Sequence, residues 1–178
     1  MNKFLKCVPK KNLESIIKLE LHYTTYGSPQ WTWSDIWRDK HVKAWNTTCD
    51  AMSKHLTNLQ KLFVLIKNSR KVHWSLEQDA LEPLFQFRRL STNCKPQTAT
   101  LTRPPPLRNV EVYFKTYLCP LGGLELQSTS RELHKLFGEA IAQVILGKSK
   151  EEAMVEVKEA WAGYSRYHQQ LRYFGLND

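Results

Sequence analysis

The chain predicts an α+β fold: one domain with an antiparallel sheet, packed helices and a helical C-terminal third. Two observations carry that class. Strand-period segments fall before residue 128 and helical periodicity fills residues 130 to 173. The elements also follow one another without a β-α-β-α rhythm, which argues against a parallel sheet. The length of 178 residues and an apolar fraction of 42% are enough for one core.

Residues 1 to 12 read as a flexible basic arm, and residues 13 to 178 as the globular domain. After the arm, Ile17, Leu19, Leu21 and Tyr23 alternate with Lys18, Glu20, His22 and Thr24, the period of a half-buried strand. Gly27-Ser28-Pro29 ends it. Thr32 and Asp35 stand at capping-box spacing and open a helix that runs to about Asn46. A second helix is expected from Thr48, with Ala51, Met52, His55, Leu56 and Leu59 on one face. Leu62 to Ile66 is an apolar strand. Asn68-Ser69-Arg70-Lys71 reads as a turn, and Val72-His73-Trp74 as the returning strand of a hairpin.

Residues 78 to 90 are ambiguous, because Pro83 interrupts a helical pattern. Residues 91 to 109 form a long Pro-containing loop. Val110, Val112, Phe114, Thr116 and Leu118 alternate with Glu111, Tyr113, Lys115 and Tyr117 as a third strand. Leu124 to Gln127 is expected to pair back on it after the turn Pro120-Leu121-Gly122-Gly123. Leu133, Leu136, Phe137, Ala140, Ile141, Val144 and Ile145 then mark a helix, with a capping box at Thr129 and Glu132 and a stop at Gly147. Ser149 and Glu152 open the next.

The charge is unevenly placed. Residues 1 to 115 hold 19 Lys and Arg against 9 Asp and Glu, whereas residues 116 to 178 hold 7 against 8. Such an excess suits contact with a polyanion, either nucleic acid or an acidic lipid surface. The candidate anion-binding residues are Lys3, Lys6, Lys10 and Lys11 in the arm, Arg70 and Lys71 at the hairpin tip, and Arg88, Arg89, Arg103 and Arg108 in or beside the long loop. Trp31, Trp33 and Trp37 are candidates for self-association, with core packing as the other reading.

Catalysis finds little support. The six His fall into no metal-binding pattern, and Cys7, Cys49, Cys94 and Cys119 form no C-x-x-C pair. Gly122-Gly123 lacks a phosphate-loop context. No enzyme activity, no metal, no cofactor and no small-molecule substrate are expected. The start of the chain is basic but has no apolar run, so no secretory signal peptide is expected, and no stretch reaches the ~20 apolar residues of a membrane span.

The arm, the alternating strand Ile16 to Thr25, the helix start Trp33-Ser34-Asp35, the apolar strand Leu62 to Ile66 and the long loop follow one another in an order that resembles the matrix proteins of rhabdoviruses, those of the plant-infecting branch above all. The resemblance covers roughly residues 1 to 127. It implies a viral matrix-type structural protein that self-associates and bridges nucleoprotein–RNA to an acidic membrane surface, in the virion and in the host cell. Where that family has a Pro-Pro-x-Tyr motif, this chain has Pro104-Pro105-Pro106-Leu107, and its helical C-terminal third does not match the animal-virus members. The alternative is a nucleic-acid-binding accessory protein without sequence preference.

Overall fold

Three strands, each eight residues long, pair side by side in the order β1 (Lys18–Thr25), β2 (Lys61–Asn68), β3 (Asn109–Thr116). The computed structural model describes residues 7–25, 34–68, 81–92, 107–116 and 124–163. All pairs are parallel, with Leu21, Val64 and Val112 in one row across the sheet. The ladders start together: Ile17 O accepts from the Lys61 N–H at 3.0 Å, and Gln60 O accepts from the Asn109 N–H at 3.1 Å.

The expected antiparallel sheet is therefore corrected to a parallel one, and the reason lies in the connections. Between β1 and β2 stands the helix Ser34–His55 of 22 residues. At about 1.5 Å per residue it spans about 33 Å, more than the about 26 Å of an eight-residue strand. It can carry the chain back to the edge where β1 began, so β2 must run the same way. The hairpin expected from Val72-His73-Trp74 falls outside the described residues, and β2 takes β1 and β3 as its two partners. Leu124 to Gln127, expected as a strand, forms the first turn of the helix Leu124–Ile145. The alternation there was too short to outweigh the longer helical register behind it.

In chain order the helices are α1 (Lys10–Glu14), α2 (Ser34–His55), a 3-10 helix (Glu82–Arg88) running into α3 (Arg89–Thr92), α4 (Leu124–Ile145) and α5 (Lys150–Ala153), followed by a helical run over residues 155–163. α1 occupies the end of the expected arm, and its Leu13 is buried. α2 is continuous through Thr48, where a second helix was expected to start. Thr48 lies on the buried stripe Trp45, Cys49, Met52 and Leu56, whose spacing favours one unbroken helix. Pro83 sits in the first turn of the 3-10 helix, where no N–H is needed, and Leu84 and Phe87 behind it are fully buried.

α4 ends at Gly147, whose φ of 117° only glycine adopts readily. The Gly147 N–H bonds Val144 O at 3.1 Å and the Lys148 N–H bonds Gln143 O at 3.0 Å, a Schellman stop. Ser149 Oγ then accepts the Glu152 N–H at 3.2 Å and starts α5, as its spacing predicts. α4 lies so close to β3 that a Cβ on Gly138 would overlap the carbonyl oxygen of Val112.

The helices and the strands share one core. It joins Leu21, Leu62, Val64, Ile66, Val110 and Val112 of the sheet to Cys49 and Met52 of α2, Leu84 and Phe87 of the 3-10 helix, and Phe137 and Ile141 of α4. Tyr23 packs on Trp45 at 4.7 Å between ring centroids, and Phe114 stacks on Phe137 at 5.5 Å. Since strand side chains alternate, all of these sheet residues point to one face.

Candidate functional site

Among the described residues, the opposite face of the sheet is open. Its rows, read across β1, β2 and β3, are Lys18–Lys61–Asn109, Glu20–Phe63–Glu111, His22–Leu65–Tyr113 and Thr24–Lys67–Lys115. Every described side chain of β1 and β3 on this face is exposed, while Phe63, Leu65 and Lys67 on the central strand are half-buried by their neighbours. Parallel sheets usually bury both faces, so an uncovered one is unusual.

The face divides by chemistry. Its two end rows carry the cations, and Lys61 and Lys67 lie about 20 Å apart along β2. Lys18, Lys61 and Lys115 form no ion pair among the described residues. The two middle rows carry rings and carboxylates. Phe63 and Tyr113, on neighbouring strands, stand 5.2 Å apart between centroids with planes 30° apart, and Tyr113 is 51% exposed. The Tyr113 hydroxyl donates to Glu111 Oε2 at 3.2 Å, and Asn109 Nδ2 donates to Glu111 Oε1 at 3.2 Å. The hydrogen bond to Glu111 raises the Tyr113 pKa, because ionising the phenol would lose that donor beside a carboxylate. On the far strand, His22 Nε2 pairs with Glu20 Oε1 at 2.7 Å.

The residues expected to bind anions are dispersed. Lys10, Lys11 and Arg108 are exposed, and Lys10 pairs with Glu14 at 3.6 Å. Arg88 and Arg89 turn to internal partners. Arg88 donates to Gly147 O at 3.0 Å, at the end of α4. Arg89 donates to Asp50 Oδ1 at 3.1 Å and Gln86 Oε1 at 2.6 Å, tying the 3-10 helix to α2. Lys3, Lys6, Arg70, Lys71, Arg103, Trp31 and Trp33 lie outside the described residues, and Trp37 stands in the first turn of α2 with its side chain outside them.

The open-face cations Lys18, Lys61, Lys67 and Lys115 were not among the expected site residues. On an alternating strand a lysine looks like any solvated position. The signal that could have found them is Tyr113, a large ring in the polar register of its strand.

Two other features lie away from this face. A cavity of about 220 Å³ between the 3-10 helix, α4 and α5 is floored by Leu81, Phe85, Phe137 and Met154. Lys150 spans its rim, 3.2 Å from Glu82 and 5.4 Å from the centre of the Phe85 ring, so internal charges already face one another there. Among the described residues no group of three or more His, Cys, Asp or Glu converges to hold a metal. Burial pushes the Cys49 thiol far above its usual pKa, whereas Cys7 is exposed. No helix among the described residues is long and apolar enough to cross a membrane. Comparison with known proteins finds no matching family model, no matching curated protein and no matching solved structure.

Proposed function

We propose that this protein binds nucleic acid without sequence preference, and that it does so as a binding protein rather than an enzyme. The observation that carries the reading is the open sheet face with Lys18, Lys61, Lys67 and Lys115 on its end rows, in a chain of formal net charge +9. Cations held on a rigid sheet neutralise phosphates with no loss of loop entropy, and released counterions drive the association.

The matrix-type reading, with self-association and an acidic membrane surface, draws on the same basic excess. The carboxylates of Glu20 and Glu111 weigh against it at this face. A flat anionic surface would meet them head-on, whereas a polynucleotide can set its phosphates at the end rows and its bases between them.

The test is an RNA-binding titration across a salt series, run beside co-sedimentation with acidic and neutral vesicles. Three lysine–phosphate contacts, from Lys18, Lys61 and Lys115, predict a slope of log affinity against log salt of about −2 for a single strand, and removing Lys61 and Lys115 together flattens it by roughly 1.4. Binding to acidic vesicles with none to RNA at low salt would overturn the reading in favour of the membrane.

A further inference from the structure

We infer that the nucleic acid taken by this face is single-stranded, and that Phe63 and Tyr113 stack two of its bases. The inference rests on the nucleic-acid reading of the same face and adds the form of the ligand.

Three features of the face point to it. First, Tyr113 presents its ring, at 51% exposed, and the half-buried Phe63 stands beside it at 5.2 Å on the central strand. Aromatic rings stack bases of any sequence because every base has a π-face. Only unpaired bases can reach them, since in a duplex the bases are stacked on each other inside two phosphate backbones.

Second, the charges are sorted along the strands in the order that a single strand needs. Lysines occupy the rows at both ends of the ring pair, and none occupies the rows of the rings themselves. A strand crossing the sheet from Lys61 on β2 toward Lys115 on β3 can place phosphates near both and lay the intervening bases on the rings.

Third, among the described residues the acids on the face are Glu20 and Glu111, and both lie in the row of Phe63. A carboxylate beside a stacked base accepts from an exocyclic amino group. Beside a phosphate it would repel. The same placement disfavours a duplex, which offers this surface only its backbone.

The Tyr113 ring is also tethered. The Tyr113 hydroxyl is anchored to Glu111, and Glu111 is anchored to Asn109. Stacking on a held ring costs less ordering than stacking on a mobile one.

The experiment is fluorescence anisotropy on the full chain with a fluorescein-labelled oligouridylate and with an RNA duplex of the same length. The variants are Phe63→Ala, Tyr113→Ala and Tyr113→Phe, each checked for an unchanged melting temperature. The expected result is tighter binding of the single strand than of the duplex. Each alanine variant should lose roughly tenfold in affinity for the single strand. Tyr113→Phe keeps the π-face and should stay within about twofold of wild type, which separates stacking from the hydroxyl's hydrogen bond.

Equal affinity for strand and duplex, with both alanine variants unchanged but a steep salt slope, would overturn the stacking inference and leave the polyanion reading standing. Absence of binding to either RNA at low salt would overturn both. Loss of binding in Tyr113→Ala without loss of folding, and its retention in Tyr113→Phe, supports the inference directly.

Discussion

The two faces of the sheet are built from the same strands, yet one is closed and the other open. On the closed face Val64 and Ile66 are 0% and 1% exposed, in the core that the sheet shares with the helices. On the open face the neighbouring residues of the same strands are Lys61, Phe63, Leu65 and Lys67. Moving one residue along β2 passes from a position that holds the fold together to one that meets the outside. Stability should therefore follow one register of each strand, and binding the other. Substitutions that alternate between the registers should separate the two properties.

The sharpest break is at Gly138. A methyl there would overlap the backbone of β3, and a backbone carbonyl cannot swing aside as a side chain can. Gly138→Ala should destabilise by about 3 kcal/mol, seen in a denaturant melt as a lower midpoint with an unchanged slope. Next comes a matched pair on β2. Leu62 is 1% exposed, and Leu62→Ala should cost about 3 kcal/mol through lost burial and the cavity left behind. Leu65→Ala, on the open face, should cost less than about 1 kcal/mol. Equal costs for the two leucines would remove the distinction between the faces.

The smallest effect concerns the helices that cover the closed face. Asp50 on α2 accepts from Lys54 at 2.6 Å and from Arg89 at 3.1 Å. The Lys54 hydrogen bond, with Arg89 adding to it, holds the Asp50 pKa below the usual carboxylate value against a smaller opposing effect of burial. A depressed folded pKa gives stability that is complete above the unfolded value and lost as pH falls through the folded one. Asp50→Asn should thus lower the melting temperature slightly at neutral pH, and the gap between variant and wild type should close below the usual carboxylate range.

Position along the chain was far more legible than direction in space. Alternation located β1 and β3 to within a residue or two at each start, because period two is a local property. Gly147 and Ser149 marked the end of α4 and the start of α5, since each supplies one defined backbone conformation or one hydrogen bond. The sense of the sheet was not local. It depended on α2 being one long helix, whereas a second helix had been expected from Thr48. Leu124 to Gln127 shows the same limit, because four residues satisfy a strand and a helix alike.

The site was less legible than the fold. Cations in apparent loops drew the eye, and the structure turns Arg88 and Arg89 inward to cap and brace helices. Phe63 sits in the apolar run Leu62 to Ile66 and reads as core until the pairing shows which face it takes. Lys61, Phe63 and Tyr113 become one surface only when β2 and β3 lie side by side in register.

The most direct test of the open face is ultraviolet crosslinking of the full chain to oligouridylate, with the crosslinked peptides identified by mass spectrometry. The account predicts crosslinks on peptides of β2 and β3 that contain Phe63 and Tyr113, competed away by unlabelled single strand. Crosslinks confined to the outer surface of α2, around Lys40 and Lys43, with none on either strand, would contradict it.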